Sequence, residues 1–342
     1  MARSAPAPHF RGGGRIEFGD RAVPAPGPEQ LLLRVRANAI CGSDREQYHQ
    51  GSVVIPGHET AGEVVATGSG TTTLPGTAGV VFLMDFCGRC RSCRLGHTNQ
   101  CLDKRADMGF TADGGYGPYE LVHETNFFAT PGIPPAEATL LLDVMGTSSH
   151  AIGRAQHARI DLESVGIAGA GPIGLGLAAM CRLILGPATP VLVSDISECR
   201  LELAESLGAV AVRATDDSLA AAARRLGFDG VDAAFDSTGR QAARQGLLEA
   251  LTARRGVLVC VGHGEGLQLD VSTQLIAPER SILGSEYFRY DELSANLQRL
   301  REHRAYLGQI LTHRFTVDRI DEAFATFLAG HTGKVVVEQD RS

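Results

Sequence analysis

Four of the chain's eight cysteines lie within fifteen consecutive positions, in the stretch CGRCRSCRLGHTNQC. Their spacing, C-x2-C-x2-C-x7-C, places them at Cys87, Cys90, Cys93 and Cys101. A structural Zn²⁺ takes four soft ligands at the corners of a tetrahedron, and a single irregular loop with this spacing can wrap around one ion. Four free or redox-active thiols are the alternative, which this spacing disfavours. The sequence therefore predicts a structural zinc site over residues 87–101.

Composition and charge restrict the class of protein. The chain has 342 residues, enough for two domains, of which 44% are hydrophobic and 21% are charged. Its net charge of -7 is spread along the sequence without a basic run, so we expect no nucleic-acid partner. No apolar run is long enough to span a bilayer, and MARSAPAPHFRGGG lacks the apolar core of a signal peptide. We therefore expect a cytoplasmic protein without a membrane partner, whose clustered cysteines bind metal rather than form disulfides.

A second set of metal-binding residue types is dispersed along the chain. Cys41 follows the alternating apolar stretch LLLRVRANAI, which predicts a strand. His58 and Glu59 lie in a glycine-flanked loop, PGHETAG, that leads into another strand. Asp143 lies in the apolar stretch LLLDVMG with no basic residue nearby in sequence, and a carboxylate in such a setting needs a cation. Taken singly, each of these residues is a weak signal.

A glycine motif follows in the second half of the chain. Gly169, Gly171 and Gly174 form G-x-G-x-x-G between a short apolar strand and an apolar helical run. In this context the glycines permit a tight turn, close approach of a pyrophosphate and close packing of the helix on the strand. Pro172 and Ile173 open the helix, whose N-terminus would face the phosphates. The motif predicts a dinucleotide site.

The residues that follow bear on the choice of nucleotide. The strand VLVSD ends at Asp195, whose carboxylate would accept hydrogen bonds from the ribose and repel a 2′-phosphate, which favours NAD over NADP. Arg200 is the counter-signal, since a nearby arginine could accommodate that phosphate. Gly262 and His263 close a later strand, at the edge where the nicotinamide should lie. Alternating strands and helices over residues 164–285 predict a parallel doubly wound sheet.

The motifs C-G-S-D, G-H-E-x2-G-x-V and the four-cysteine loop occur in this order, before the glycine motif. Together they resemble the zinc-dependent medium-chain dehydrogenase/reductase superfamily, particularly its sorbitol, threonine and polyol dehydrogenase branch. The resemblance runs from about residue 16 to about residue 338. It implies an α/β fold with a GroES-like β catalytic domain at residues 1–148 and a Rossmann cofactor domain at residues 149–285. Residues 286–342 would then return to the catalytic domain, with the active site in the cleft between the lobes.

The resemblance also implies roles for the dispersed residues. Cys41 and His58 would hold a catalytic zinc, with Glu59 and Asp143 as candidates for the remaining protein ligand. Ser43 matches the hydroxyl that takes the substrate proton in this family. Such a transfer needs a hydroxyl within hydrogen-bond reach of an alcohol that the zinc has made more acidic.

The expected activity is that of an NAD- and zinc-dependent dehydrogenase acting on a secondary hydroxyl of a polyol, sugar, cyclitol or amino-sugar. Relatives are commonly dimers or tetramers, so we expect a homo-oligomer. In the polyol branch an F-R-Y segment lines the substrate pocket at the place where this chain has EYFRYDE, which would give substrate contacts to Arg289 and Tyr290. The alternative there is a surface arginine and a packed tyrosine at a domain junction. Two further alternatives are an NADPH-dependent ketone reductase and a non-catalytic dinucleotide-binding relative.

Overall fold

The computed structural model describes residues 3–339 of the chain. Short strands separated by turns dominate residues 3–141, as the frequent proline and glycine residues favour. The strands of this part are β1 (Ser4–Gly12), β2 (Arg15–Ala22), β3 (Gln30–Ala39), β4 (Thr60–Thr67), β5 (Ala78–Val81), β6 (Met84–Asp85), β7 (Ala106–Asp107), β8 (Tyr119–His123) and β9 (Phe127–Ala129). Its helices are α1 (Asp44–Gln50), α2 (Arg91–Arg94) and α3 (Pro135–Ala138).

A parallel sheet with helices between its strands forms the middle of the chain. The strands are β10 (Val165–Ala168), β11 (Val191–Asp195), β12 (Val210–Arg213), β13 (Ala233–Asp236), β14 (Val257–Cys260) and β15 (Ser281–Gly284). The helices are α4 (Ser148–Ala158), α5 (Pro172–Ile184), α6 (Glu198–Ser206), α7 (Leu219–Arg225) and α8 (Gln241–Ala250). The strand order is β12-β11-β10-β13-β14-β15, with every pair parallel. The predicted doubly wound sheet is therefore confirmed, and its continuous apolar strands reflect burial on both faces.

The remaining chain contains α9 (Glu292–Glu302), α10 (Arg304–Gly308), β16 (Leu311–Thr316), α11 (Ile320–Leu328) and β17 (Lys334–Glu338). β17 pairs parallel with β16 and antiparallel with β3. The C-terminal strands thus belong to the N-terminal sheet and not to the parallel one. Within residues 3–339 the structure has no helix that is both long and apolar enough to cross a membrane.

β3 organises the N-terminal sheet. On one side it pairs with β4, which continues to β5 and β9. On its other side, residues 30–34 pair with β8 and residues 37–39 pair with β17. The ends of β3, β4 and β17 therefore lie together, beside a cleft of about 1170 Å³ whose opposite wall is the carboxyl edge of the parallel sheet. Strand pairing of this kind brings side chains together from distant parts of the chain.

Candidate active site

Four predicted metal-binding side chains meet beside this cleft. The donor atoms of Cys41, His58, Glu59 and Asp143 all lie within 4.8 Å of one another. Cys41 follows the end of β3, and His58 and Glu59 immediately precede β4, so the pairing of these strands brings the three together. Asp143 begins a π-helical turn that runs to Thr147. Turns of this kind are rare and frequently occur at functional sites.

Three of the four side chains face the cleft: Cys41, His58 and Asp143. The Cys41 thiol donates to Asp143 Oδ2 over 2.9 Å, and His58 Nε2 lies 3.6 Å from the same oxygen. Burial opposes ionisation of Asp143, but the hydrogen bond and charge of His58 outweigh it and lower the pKa of Asp143. A thiol, an imidazole and an ionised carboxylate that converge on one point form a three-ligand set of the kind that holds catalytic zinc. The residues present fit that metal.

Glu59 lies behind this set and does not line the cleft. Its Oε1 pairs with Nζ of Lys334, the first residue of β17, and neither side chain is more than 1% exposed. Burial favours a neutral amine, but the charges of Glu59, Cys41 and Asp143 outweigh it and raise the pKa of Lys334. Because the protein already supplies Glu59 with a cation, the geometry favours Asp143 over Glu59 as the third metal ligand.

Asp44 is a site residue that the sequence reasoning missed. Its side chain is fully buried, with Oδ1 lying 3.2 Å from His58 Nδ1. Its Oδ2 accepts hydrogen bonds from the Tyr116 hydroxyl at 2.7 Å and from the Cys41 amide at 3.0 Å. A carboxylate that faces one ring nitrogen of a histidine orients the other nitrogen towards a metal. The only indication of Asp44 in the sequence was its place as the final residue of the C-G-S-D motif, three positions after Cys41.

Lys334 was missed as well, although a signal was present. The chain has only two lysines among 32 basic Lys and Arg residues. One of them, Lys334, lies in an otherwise apolar strand, GKVVVE. A buried lysine in such a strand requires an anionic partner. Nothing in the sequence identified Glu59 as that partner, since 275 positions separate the two residues.

Ser43 lies close in sequence to the candidate metal ligand Cys41. It is exposed and lines the cleft two residues after Cys41, at the N-terminal end of α1. Its hydroxyl can therefore contact both a molecule in the cleft and the solvent.

The four clustered cysteines also converge. The sulfur atoms of Cys87, Cys90, Cys93 and Cys101 lie within 4.8 Å of one another, and the eight cysteines, all within the described part of the chain, form no disulfide. Backbone amides point at the sulfurs: Cys90 N donates to Cys87 Sγ and Cys87 N donates to Cys101 Sγ, each over 3.3 Å. Such amide contacts, chiefly that of Cys93 N, lower the pKa of Cys90 to about 6. The cluster fits a tetrathiolate zinc site.

Two glycines shape this loop. Gly88 and Gly96 adopt φ values of 70° and 84°, in the left-handed region that other residues disfavour. These turns allow the segment to close on itself between Cys87 and Cys101.

The glycine motif forms the opposite wall of the cleft. Gly169 has a φ of 93°, and a Cβ on Gly174 would lie 1.8 Å from the Gly169 carbonyl oxygen, so both positions require glycine. A Cβ on Gly171 would meet nothing within 4 Å, which leaves its backbone open to a phosphate. The predicted nucleotide-binding residues that line the cleft are Gly169, Gly171, Pro172, Ile173, Asp195, Arg200, Gly262 and His263. Gly174 packs behind them, where the helix meets the strand.

The structure does not place Arg289 and Tyr290 in the cleft. Arg289 pairs with Asp291 over 3.1 Å, and the Tyr290 hydroxyl donates to the Phe127 carbonyl among aromatic side chains. These positions correspond to the alternative of a surface arginine and a packed tyrosine. The residues of this segment that do line the cleft are Glu286 and Tyr287. The expectation failed because Tyr290 is drawn into the aromatic core, which turns the chain after Tyr287 away from the cleft.

Comparison with known proteins agrees with this architecture. Residues 27–132 match the family described as alcohol dehydrogenase GroES-like domain, and residues 172–302 match the family described as zinc-binding dehydrogenase. The L-threonine 3-dehydrogenase of Aeromonas hydrophila is 31% identical over 339 residues, with 93% of this chain and 95% of that protein covered.

Solved structures show the same fold with either nucleotide. A putative zinc-binding dehydrogenase from Sinorhizobium meliloti bound to NADP has a TM-score of 0.86 and 27% identity, with 98% of this chain and 99% of that one covered. A short chain alcohol dehydrogenase from Escherichia coli complexed with NADH has a TM-score of 0.87 and 22% identity, covering 99% and 100%. The latter likeness shows the fold alone.

The two domains, the metal-binding clusters and the glycine motif define a zinc-type dehydrogenase. The chain belongs to the zinc-dependent medium-chain dehydrogenase/reductase superfamily, as the resemblance implied.

Proposed function

We propose that this protein oxidises a secondary hydroxyl of a polyol, sugar, cyclitol or amino-sugar and transfers the hydride to NAD⁺. The observation that carries the proposal is that Cys41, His58 and Asp143 face the same cleft as the glycine-rich loop at residues 169–174. A substrate held at the three metal-binding side chains is thereby brought towards a nucleotide held at the glycine-rich loop. A non-catalytic relative has no need of this convergence.

When bound, zinc supplies a Lewis acid at the substrate oxygen and NAD⁺ supplies the hydride acceptor. Cys41, His58 and Asp143 would hold the metal, and Asp44 would keep His58 in the orientation that metal binding requires. Oxidation converts the alcohol and NAD⁺ to a ketone, NADH and one proton, so a proton must leave the cleft. Ser43 accepts the hydroxyl proton and, being exposed, passes one to solvent.

The third ligand in this proposal is Asp143. Asp143→Asn keeps the shape of the side chain but removes its charge, and we expect the cleft-side zinc to be lost or weakened and kcat to fall by about 10²-fold or more. Glu59→Gln is the matched control, since it changes an acid of the same cluster that does not face the cleft. Zinc content and turnover should be measured for both. A Glu59→Gln variant that loses more zinc than Asp143→Asn would reverse the assignment of the ligand.

NAD is the proposed nucleotide because of Asp195. Its two carboxylate oxygens accept hydrogen bonds from the amides of Ala170 at 2.6 Å and Ser197 at 2.8 Å, which hold the carboxylate in the cleft. A carboxylate oxygen can accept further hydrogen bonds, so the ribose contact stays available. Arg200 donates to the Thr332 carbonyl over 3.1 Å, which occupies part of its guanidinium. Cofactor titration with NAD and NADP separates this proposal from an NADPH-dependent reductase.

A second candidate is a hydroxylated substrate that also carries a carboxylate. Arg45 lies two residues beyond Ser43, is exposed and lines the cleft, and no ion pair holds it within residues 3–339. Arginine binds carboxylates through two parallel hydrogen bonds. We expect Arg45→Met to raise the KM for a hydroxy acid while leaving the KM for a neutral polyol unchanged, if the substrate is of this kind.

A panel of polyols, cyclitols, aminocyclitols and hydroxy acids, assayed by NADH formation, tests the proposal directly. No turnover of any secondary alcohol by the zinc-loaded protein would refute it. A cytoplasmic homo-oligomer, dimer or tetramer, is part of the same proposal and can be checked by sedimentation.

A further inference from the structure

Two loops of the parallel sheet form the part of the cleft where the nicotinamide is expected. The loop after β13 contributes Ser237 and Thr238, and the loop after β14 contributes Val261, Gly262 and His263. Both loops leave the carboxyl edge of the sheet, on the opposite side of β10 from Asp195, where the other end of the dinucleotide lies. Their relative position therefore determines where the reacting ring can lie.

The two loops are in direct backbone contact. A Cβ on Gly262 would lie 2.5 Å from the amide nitrogen of Gly239, and a Cβ on Gly239 would lie 1.9 Å from the carbonyl oxygen of His263. In addition, Glu265 N donates to Gly239 O over 2.7 Å. Neither loop can shift without moving the other.

One buried side chain of α8, Arg244, contacts the loop after β14 and Asp236, the last residue of β13. Its Nε donates to Asp236 Oδ2 over 2.6 Å, and its two terminal nitrogens donate to the carbonyls of Gly262 and Glu265. The Arg244 side chain is 10% exposed and that of Asp236 is fully buried. All three nitrogens of the guanidinium are thereby occupied.

Asp236 extends the contact to the other loop. Its Oδ1 accepts hydrogen bonds from Thr238 N at 2.8 Å, Thr238 Oγ1 at 2.7 Å and Gly239 N at 3.2 Å. The pair Asp236–Arg244 therefore fixes the loop after β13 through the carboxylate and the loop after β14 through the guanidinium.

The position of Arg244 on its helix does not require an arginine for packing. The other buried residues of α8 are Leu247, Leu248 and Ala250, so Arg244 extends an apolar face. An aliphatic side chain would fill such a position without the cost of removing a charge from water.

We propose that Arg244 is a positioning residue that sets the nicotinamide end of the nucleotide site by holding the loops after β13 and β14 together. The inference rests on the proposed function, because it assigns a role within the same nucleotide site. Arg244 does not line the cleft and acts through Thr238 and Gly262.

The test compares two nucleotides that differ only in the nicotinamide. NADH occupies the whole site, whereas ADP-ribose lacks the ring that these loops would place. The variant is the double substitution Arg244→Met with Asp236→Asn, which leaves no unpaired buried charge and so protects folding. We expect its affinity for NADH to fall by about tenfold or more while its affinity for ADP-ribose changes by less than about twofold.

Arg280→Met is the matched control. Arg280 is a partly buried arginine whose guanidinium donates to the carbonyls of Leu251 and Thr252, just after α8, away from the cleft. Its loss should leave the ratio of the two affinities unchanged. Equal losses of both nucleotides in the double variant, or no loss of either, would overturn the proposal. Wild-type protein that binds ADP-ribose and NADH but turns over no alcohol would instead count against the proposed function alone.

Discussion

Replacing Lys334 by methionine removes the cation that pairs with Glu59 and keeps the length of the side chain. Both partners of the pair are at most 1% exposed, so the remaining carboxylate would be left buried without a counter-charge. Removal of one partner of a buried ion pair destabilises a protein by about 3–5 kcal/mol. For a chain of this size we expect the melting temperature of the metal-depleted protein to fall by roughly 5–10 °C.

Zinc should reverse much of this loss. Glu59 Oε2 has no hydrogen-bond partner among residues 3–339, and the Glu59 donor atom lies within 4.8 Å of those of Cys41, His58 and Asp143. Once Lys334 is gone, a metal in this cluster is the nearest cation to which Glu59 can turn. We therefore expect Lys334→Met to lower the stability of the zinc-loaded protein less than that of the metal-depleted protein. The zinc-loaded variant should also resist removal of zinc by a chelator better than wild type does. Its turnover should be slower than that of wild type, because Glu59 occupies the position that the substrate needs.

The assay is a set of thermal melts with and without zinc, paired with steady-state kinetics. Lys334→Arg, which keeps a cation, should behave nearly as wild type, and the double variant Lys334→Met with Glu59→Gln should recover most of the lost stability. If Lys334→Met lowers the melting temperature by less than about 2 °C in the metal-depleted protein, or if zinc restores nothing, the reasoning about Glu59 is wrong.

Three further predictions concern other parts of the molecule. Elemental analysis should give two zinc ions per chain, and Cys93→Ser should remove one of them. Because structural zinc contributes folding energy, the main effect of this variant should be on thermal stability, with a smaller effect on kcat. Asp195→Ala should relax the preference for NAD over NADP, since it removes both the ribose contact and the repulsion of a 2′-phosphate. If the selectivity of the variant is unchanged, Arg200 and not Asp195 distinguishes the two nucleotides. Burial raises the pKa of Glu120 from 4.5 to about 8. Between these two pH values the folded state therefore holds a proton that the unfolded state has released. Relative to Glu120→Gln, the stability of the wild type should fall by about 1.4 kcal/mol for each pH unit between about pH 5 and pH 7.5. Denaturation at several pH values checks this, with the exposed Glu249→Gln as the control, and parallel curves for wild type and Glu120→Gln would contradict it.

Sequence patterns were sufficient wherever the interacting residues are close in the chain. The four cysteines of the structural cluster lie within residues 87–101, so the loop between them determines their convergence and its spacing can be recognised. The turn at Gly169 and the helix after it are equally local, and the strand that ends at Asp195 follows directly. For these features, backbone sterics and short-range geometry leave few alternatives.

Local sequence patterns were not sufficient to group the dispersed metal-binding residues. Cys41, His58, Glu59 and Asp143 were grouped because the chain resembles a known superfamily, and the structure brings all four together. The choice between Glu59 and Asp143 depended on Lys334, which lies 275 positions away from Glu59 and approaches it only because β17 pairs with β3.

Core packing and loop contacts determined the positions of the remaining side chains, Tyr290 and Arg244. Tyr290 looked suited to a hydroxylated substrate, but its ring packs partly buried against Phe82 and Phe86, and its hydroxyl donates to the Phe127 carbonyl. Packing of a large aromatic ring outweighs the polarity of its hydroxyl once that hydroxyl has a hydrogen-bond partner. Arg244 had no recognisable motif, because its function arises from two loops that only the folded sheet places side by side. Residue types and spacing thus determined the chemistry available to this chain, whereas strand pairing and core packing decided which side chains reach the cleft, since contacts between distant segments exist only in the folded state.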